Sequence, residues 1–298
     1  MRPAYLTGTN DELFWTACLL LQSFREQEPH AVLGVCDFGL SPGRAAFFDR
    51  HGLLWPRPAA LGDGLHPWAL KASLAEFAPE ASSGTMVWVD ADMFLVRPVG
   101  DGIEAIAEDL RTTGRLAAAC PDVANMTLGG FIEHYGAAGQ AVGPLKAARE
   151  ALGVDPSLPY LNSGFVVSGS PAFWPAWKSV TLSMPLHFLF EQNALNLLVG
   201  ATRAGAHVLD AREWNVHGRH LAELPDDLSA SSARLIHATS DGSEHEYVDV
   251  VQATRRGTMT CRLKLLRRPT LRRRQLDLLA AFVDAEADAL ADAGLVQR

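Results

Sequence analysis

The 298-residue sequence predicts an α/β fold with a mainly parallel sheet flanked by helices and a helical C-terminal extension. Three observations carry that expectation. Short apolar runs alternate with helical periodicities from residue 4 to about residue 240, as strands alternate with covering helices. Several runs, TMVWVDAD above all, are apolar throughout rather than alternating, as strands buried on both faces are. The hydrophobic share of 48% and charged share of 20% are ordinary for a globular chain, which at this length can bury a large core.

In chain order, PAYLTG reads as a first strand, and Asp11 to Phe24 repeats apolar residues at helical spacing. HAVLGVCDF is a second strand. RAAFFDRHG is a helix closed by Gly52, the residue type suited to a left-handed position after a helix end. LHPWALKASLAEFA is a further helix, TMVWVDAD a buried strand, and LAAACPD and LNSGFVVSG two more strands. Residues Asp122 to Leu158 are richer in Gly, Ala and Pro, and are expected to form an excursion over the sheet's edge. The last fifty residues change character. A basic segment is followed by a helix from about Thr270, after Pro269, with Leu276, Leu279, Val283, Ala287 and Leu290 on one face. The division expected is therefore residues 1–245 and residues 246–298.

No stretch near Met1 reads as a signal peptide, and LFWTACLLLQSF is too short to span a bilayer. Cys18, Cys36, Cys120 and Cys261 are far apart, with no CxxC pair, and read as reduced thiols of a cytoplasmic protein. The net charge of −8 hides an asymmetry: nine of the 26 basic residues, and no acidic one, fall between Arg255 and Arg274. The acidic remainder argues against general nucleic-acid binding. The basic strip permits peripheral contact with an anionic membrane at its inner face. It could equally be neutralised by the acidic body or by a partner chain, and the final helix could pair with a second subunit.

Asp90 and Asp92 end the buried run VWVDAD, where ligands of parallel sheets bind. In an extended segment residues i and i+2 point the same way, so the two carboxylates can converge. Held close, they repel unless a cation lies between them. Mn²⁺ or Mg²⁺ takes oxygen ligands and shares them with phosphates. The same pair also reads as a solvated turn. Aspartyl phosphatases of the haloacid-dehalogenase type place DxD after a strand too, but follow it with Thr or Val, whereas Met93 and Phe94 stand here.

The order TGTND, WALKASLAEF, VWVDADMFLVRPV, AAACPD, YLNSGFVV, FEQNALNLL, EWNVHG and LIHATS resembles the GT-A glycosyltransferases. It is most similar to the retaining family of glycogenin and the bacterial lipopolysaccharide galactosyltransferases, over roughly residues 4 to 240. The resemblance implies a Rossmann-like sheet and transfer of a hexose from a nucleotide sugar, UDP being the usual carrier, to a saccharide or glycolipid acceptor. It also implies net retention by front-face attack. Thr7, Gly8, Thr9, Asp11 and Ala91 would lie along the nucleotide, and Asp90, Asp92 and His237 would hold Mn²⁺ or Mg²⁺. Lys71, Asp122, Asn162, Ser163 and Gly164 would face the donor sugar, with Glu191 on a hydroxyl and Gln192 near the anomeric carbon. Trp214 and Asn215 would shape the acceptor side.

The chain departs from that family in three places. Glu191 and Asn193 replace two aspartates, and ATSDGSEH follows where Gly-x-x-Lys-Pro-Trp would close over the diphosphate, leaving Ser240, Ser243 or His245 as substitutes. Two other functions stay open. One is a sugar-phosphate nucleotidyltransferase, although TGTND lacks the expected Gly-rich basic loop. The other is a non-catalytic nucleotide-sugar-binding protein on the same scaffold.

Overall fold

The computed structural model describes residues 3–62, 64–81, 84–122, 126–239 and 243–297. The chain is an α/β protein with a mixed, mostly parallel sheet of seven strands, flanked by helices and followed by a long C-terminal helix. Strands in chain order are β1 (Ala4–Thr9), β2 (Leu33–Asp37), β3 (Leu54–Trp55), β4 (Met86–Val89), β5 (Met93–Leu95), β6 (Ala117–Pro121), β7 (Leu161–Ser168), β8 (Ala206–Val208), β9 (Leu235–His237), β10 (His245–Thr254) and β11 (Gly257–Leu266). Two compact units share the chain, one of residues 1–4, 58–88 and 101–211, the other of residues 5–57, 89–100 and 212–298.

In the second unit β1 and β2 run parallel, with Thr7 opposite Val35, and β2 pairs with β3 in the same sense. Helix Phe14–Gln27 follows β1, buries ten of its residues and packs against β5 and the C-terminal helix Pro269–Asp292. The helix Pro42–Arg50 ends at His51, and Gly52 follows at φ 65°, the conformation expected of it. Phe14, Phe47 and Phe48 meet edge to face, and Phe282 of the C-terminal helix joins them at 5.7 Å from Phe47. The apolar face of that helix is therefore covered by its own chain.

The segment before the C-terminal helix is an antiparallel hairpin, β10 with β11, that the helical expectation for the extension did not contain. Its signal was present in the alternation of EYVDVVQAT and TCRLKL, bracketing the turn at Arg255–Arg256. Most of the basic strip is neutralised at home. Arg255 and Arg256 pair with Asp288, Arg267 and Arg272 with Glu246, Arg268 with Asp226, Arg274 with Glu26 and Lys264 with Asp92. Arg262 lies over the Tyr247 ring.

In the first unit β6 lies between β7, antiparallel, and β8, parallel. The expected excursion proves to be two helices, Leu128–Ala137 and Gly143–Leu152. They carry a core of their own, in which Phe131 stacks on Tyr160 at 3.7 Å among Leu128, Leu145, Val154 and Leu197. The single helix expected over LHPWALKASLAEFA is two, Pro67–Lys71 and Leu74–Phe77. At the break, the Ser73 hydroxyl donates back to the Ala69 carbonyl, the local competition that interrupts helices. Among the described residues no helix is long and apolar enough to cross a membrane.

Candidate functional site

The second unit gathers Asp90, Asp92 and His237. β4 ends at Val89, and the chain turns rather than staying extended: Met93 N–H donates to the Asp90 carbonyl at 3.0 Å before β5 begins. The convergence of the two aspartates is thus the work of a turn, not of strand alternation. β5 pairs antiparallel with β9, which sets Met93 opposite His237, and Ala238 N–H donates to the Asp92 carbonyl. One ligand atom from each of Asp90, Asp92 and His237 lies within 4.8 Å of the others.

The imidazole is oriented for coordination. Its Nδ1 donates to the Asn215 side-chain oxygen at 2.8 Å, which turns Nε2 toward Asp92 Oδ1, 3.1 Å away, and Asp90 Oδ2, 3.7 Å away. Two carboxylates and one imidazole nitrogen suit Mn²⁺ or Mg²⁺, so the residues fit the ion that the sequence implied.

One neighbour was not foreseen. Lys264 Nζ sits 2.6 Å from Asp92 Oδ2, its residue 5% exposed. Burial opposes ionisation of Asp92, but Lys264 first and His237 second outweigh it and hold the carboxyl far below the ordinary carboxylate range. Nothing in RLKLL marks this lysine, since only the hairpin's placement brings it to Asp92.

The first unit holds a second polar group, built on β7 and on helix Phe190–Ala201. Lys71 is 6% exposed, not the solvated helix edge such a lysine usually forms. Its Nζ donates to Ser163 Oγ at 3.0 Å, pairs with Glu191 at 3.2 Å and lies over the Trp88 ring. Gln192 Oε1 accepts from Ser163 N–H at 3.0 Å, and its Nε2 donates to Asp122 Oδ2 at 2.7 Å. Asn162 donates to the other oxygen of Asp122 and accepts from Gly164 N–H. Lys71, Asp122, Asn162, Ser163, Gly164, Glu191 and Gln192 are thus one bonded group.

Asn193, by contrast, faces the core. It accepts from the Tyr160 hydroxyl at 2.6 Å and donates to the Phe188 carbonyl at 2.8 Å. An aspartate could not make the second bond, which gives a physical reason for the amide at this position. The sequence did not single out Asn196, whose side chain takes both the N–H and the C=O of Leu161, at 2.7 and 2.8 Å, and so ties the start of β7 to the helix.

Of the remaining predicted residues, Thr7 and Thr9 are buried in β1. Gly8 makes room for the Phe38 ring, since a Cβ there would stand 2.3 Å from the ring. Asp11 accepts from Ser41 N–H at 2.7 Å and pairs with Arg44; these contacts outweigh burial and lower its pKa. Ala91 is buried in the turn between the two aspartates. Trp214 lies under the Arg234 guanidinium, and Asn215 is buried behind His237. His245, the first residue of β10, is buried opposite Leu266. Ser243 is described, whereas Ser240 lies outside the described residues.

No protein-family model and no curated relative matches the sequence. Among solved structures, a galactosyltransferase, LgtC, determined in complex with donor and acceptor sugar analogs, matches with a TM-score of 0.57 and 14% identity. That match covers 94% of this chain and 96% of the other. The apo structure of WbbM, a bifunctional glycosyltransferase, matches with a TM-score of 0.53 and 11% identity over 80% of this chain; the match covers 46% of WbbM. At these identities the likeness is one of fold, and the fold is that of the GT-A type.

Proposed function

We propose that the chain is a metal-dependent glycosyltransferase that moves a hexose from a nucleotide sugar, UDP being the first carrier to test, to a saccharide or glycolipid acceptor with retention. The observation that carries this is the convergence of Asp90, Asp92 and His237 Nε2, on a fold shared with a glycosyltransferase. Asp90, Asp92 and His237 would hold Mn²⁺ or Mg²⁺, which supplies positive charge to a departing diphosphate without a proton. Asn215 keeps the imidazole in the tautomer that leaves Nε2 free to coordinate.

For the first unit's polar group we assign the donor sugar. Asp122 and Asn162 offer hydroxyl contacts, with Gln192 held by Asp122 and Ser163 in one rotamer. Glu191 pairs with Lys71 at 3.2 Å and would accept from a sugar hydroxyl. Thr7, Gly8, Thr9, Asp11 and Ala91 remain assigned to the nucleotide. A cytoplasmic location agrees with the four free, buried cysteines.

The test is a panel of UDP- and GDP-sugars with Mn²⁺, followed by nucleotide release. Slow UDP release from one sugar, abolished by chelator and by Asp92→Ala, is expected. Pyrophosphate release would mean nucleotidyl transfer, and tight binding with no release a non-catalytic binder. Either result overturns the proposal.

A further inference from the structure

Lys264 does not belong to the predicted site, and its position is built rather than incidental. On β11, Met259, Cys261, Leu263 and Leu265 face inward, while Lys264 lies on the opposite face, directly across from Tyr247. The backbone around it is fixed by Gln275 of the C-terminal helix. That side chain is 1% exposed, donates to the Lys264 carbonyl at 3.0 Å and accepts from Leu266 N–H at 2.8 Å. A lysine so buried needs an anionic partner, and Asp92 Oδ2 at 2.6 Å is that partner.

The two oxygens of Asp92 therefore face different cations. Oδ1 looks toward His237 Nε2 and the position a metal would take, while Oδ2 is held by the ammonium. With Asp92 already paired to the ammonium, a divalent ion entering alone is repelled by Lys264. An ion together with a diphosphate meets no such penalty, because the phosphate oxygens offer the ammonium a second anionic partner.

On the reading of this site as a metal and diphosphate site, we infer that Lys264 is a resident cation that couples the two. It weakens binding of the metal alone, supplies a charge to the diphosphate, and so makes ion and phosphoanion load together. By linkage the coupling is reciprocal: each raises the affinity of the other by the same factor.

The test uses the full chain, with Mn²⁺ alone and then UDP at saturating Mn²⁺ as probes, both followed by calorimetry. Lys264→Met is expected to bind Mn²⁺ about ten- to a hundredfold more tightly, because a nearby repelling charge is gone. The same variant is expected to bind UDP about tenfold or more weakly, having lost a charge-assisted contact. Lys264→Arg, which keeps the charge, is expected to hold Mn²⁺ affinity within about threefold of the parent. If the methionine variant does not fold, Lys264→Gln carries the same test with a neutral donor to Asp92. A purely structural lysine would weaken both ligands, or neither, and that outcome overturns the inference. So does Mn²⁺ binding that Asp92→Asn abolishes but Lys264→Met or Lys264→Gln leaves unchanged; the metal-site reading would then stand. No Mn²⁺ binding by the parent chain, with or without UDP, overturns the metal-site reading and this inference together.

Discussion

Replacing Asn196 by alanine tests whether one amide ties β7 to helix Phe190–Ala201. The side chain is 4% exposed and makes three bonds, to Leu161 N–H, to the Leu161 carbonyl and to the Gln192 carbonyl. Truncation leaves the two Leu161 groups buried in a unit with no room for easy solvation, at about 1–3 kcal/mol each. Alanine's better helix propensity returns about 0.5 kcal/mol. The net expectation is a loss of about 1.5–5.5 kcal/mol, a large share of the roughly 5–15 kcal/mol that holds a typical domain folded. In urea, with a slope of about 2–3 kcal/mol per molar, the midpoint should fall by about 0.5–2.5 M. Tryptophan fluorescence is a suitable signal because Trp174 and Trp177 are buried in this unit and Trp177 Nε1 donates to the Glu191 carbonyl. Asn196→Asp should be the worse variant, since it keeps an acceptor for Leu161 N–H but sets a carboxylate against two carbonyl oxygens. A loss under about 0.5 kcal/mol for alanine, or an aspartate as stable as the parent, would refute the reasoning.

Three further outcomes are expected. Asn215→Leu should leave the chain folded yet weaken Mn²⁺ binding about 10- to 100-fold, because His237 loses the acceptor that sets its tautomer; unchanged Mn²⁺ affinity by calorimetry would contradict this. Gly8→Ala should cost about 1–3 kcal/mol through collision with Phe38, and Phe38→Leu in the same chain should recover part of it, as denaturant midpoints would show. The buried thiols should resist a disulfide reagent at pH 8 until the chain unfolds, with Cys261 pushed up to about 12 by burial. An unfolded thiol titrates near pH 8.5, so Cys261 should contribute a stability loss that begins above that pH and grows until the folded thiol also ionises near 12. Stability that is flat or rising between pH 8.5 and 10 would contradict it.

Much of the fold was legible in the linear order of residues because it rests on local periodicity. The runs around Tyr5, Val35, Val87 and Val166 are too apolar to be anything but buried strands. Gly52 marks a helix end by a conformation that its own lack of a side chain permits. At Asp122 to Leu158 a composition rich in Gly, Ala and Pro left two helices unread, and tertiary contacts hold them, Phe131 on Tyr160 among them.

The site divides in the same way. The sequence by itself determined which residue types could meet: a DxD pair, a strand-end histidine, and an Asn-Ser-Gly run answered by Glu-Gln-Asn. Only the tertiary structure decided that Asn193 turns into the core, that Asn215 serves His237, and that Lys264, 172 residues after Asp92, closes on it. The physical reason is range. Periodicity and turn chemistry act over a few residues and are written where they act, whereas a buried ion pair depends on which strand the folded chain lays beside another.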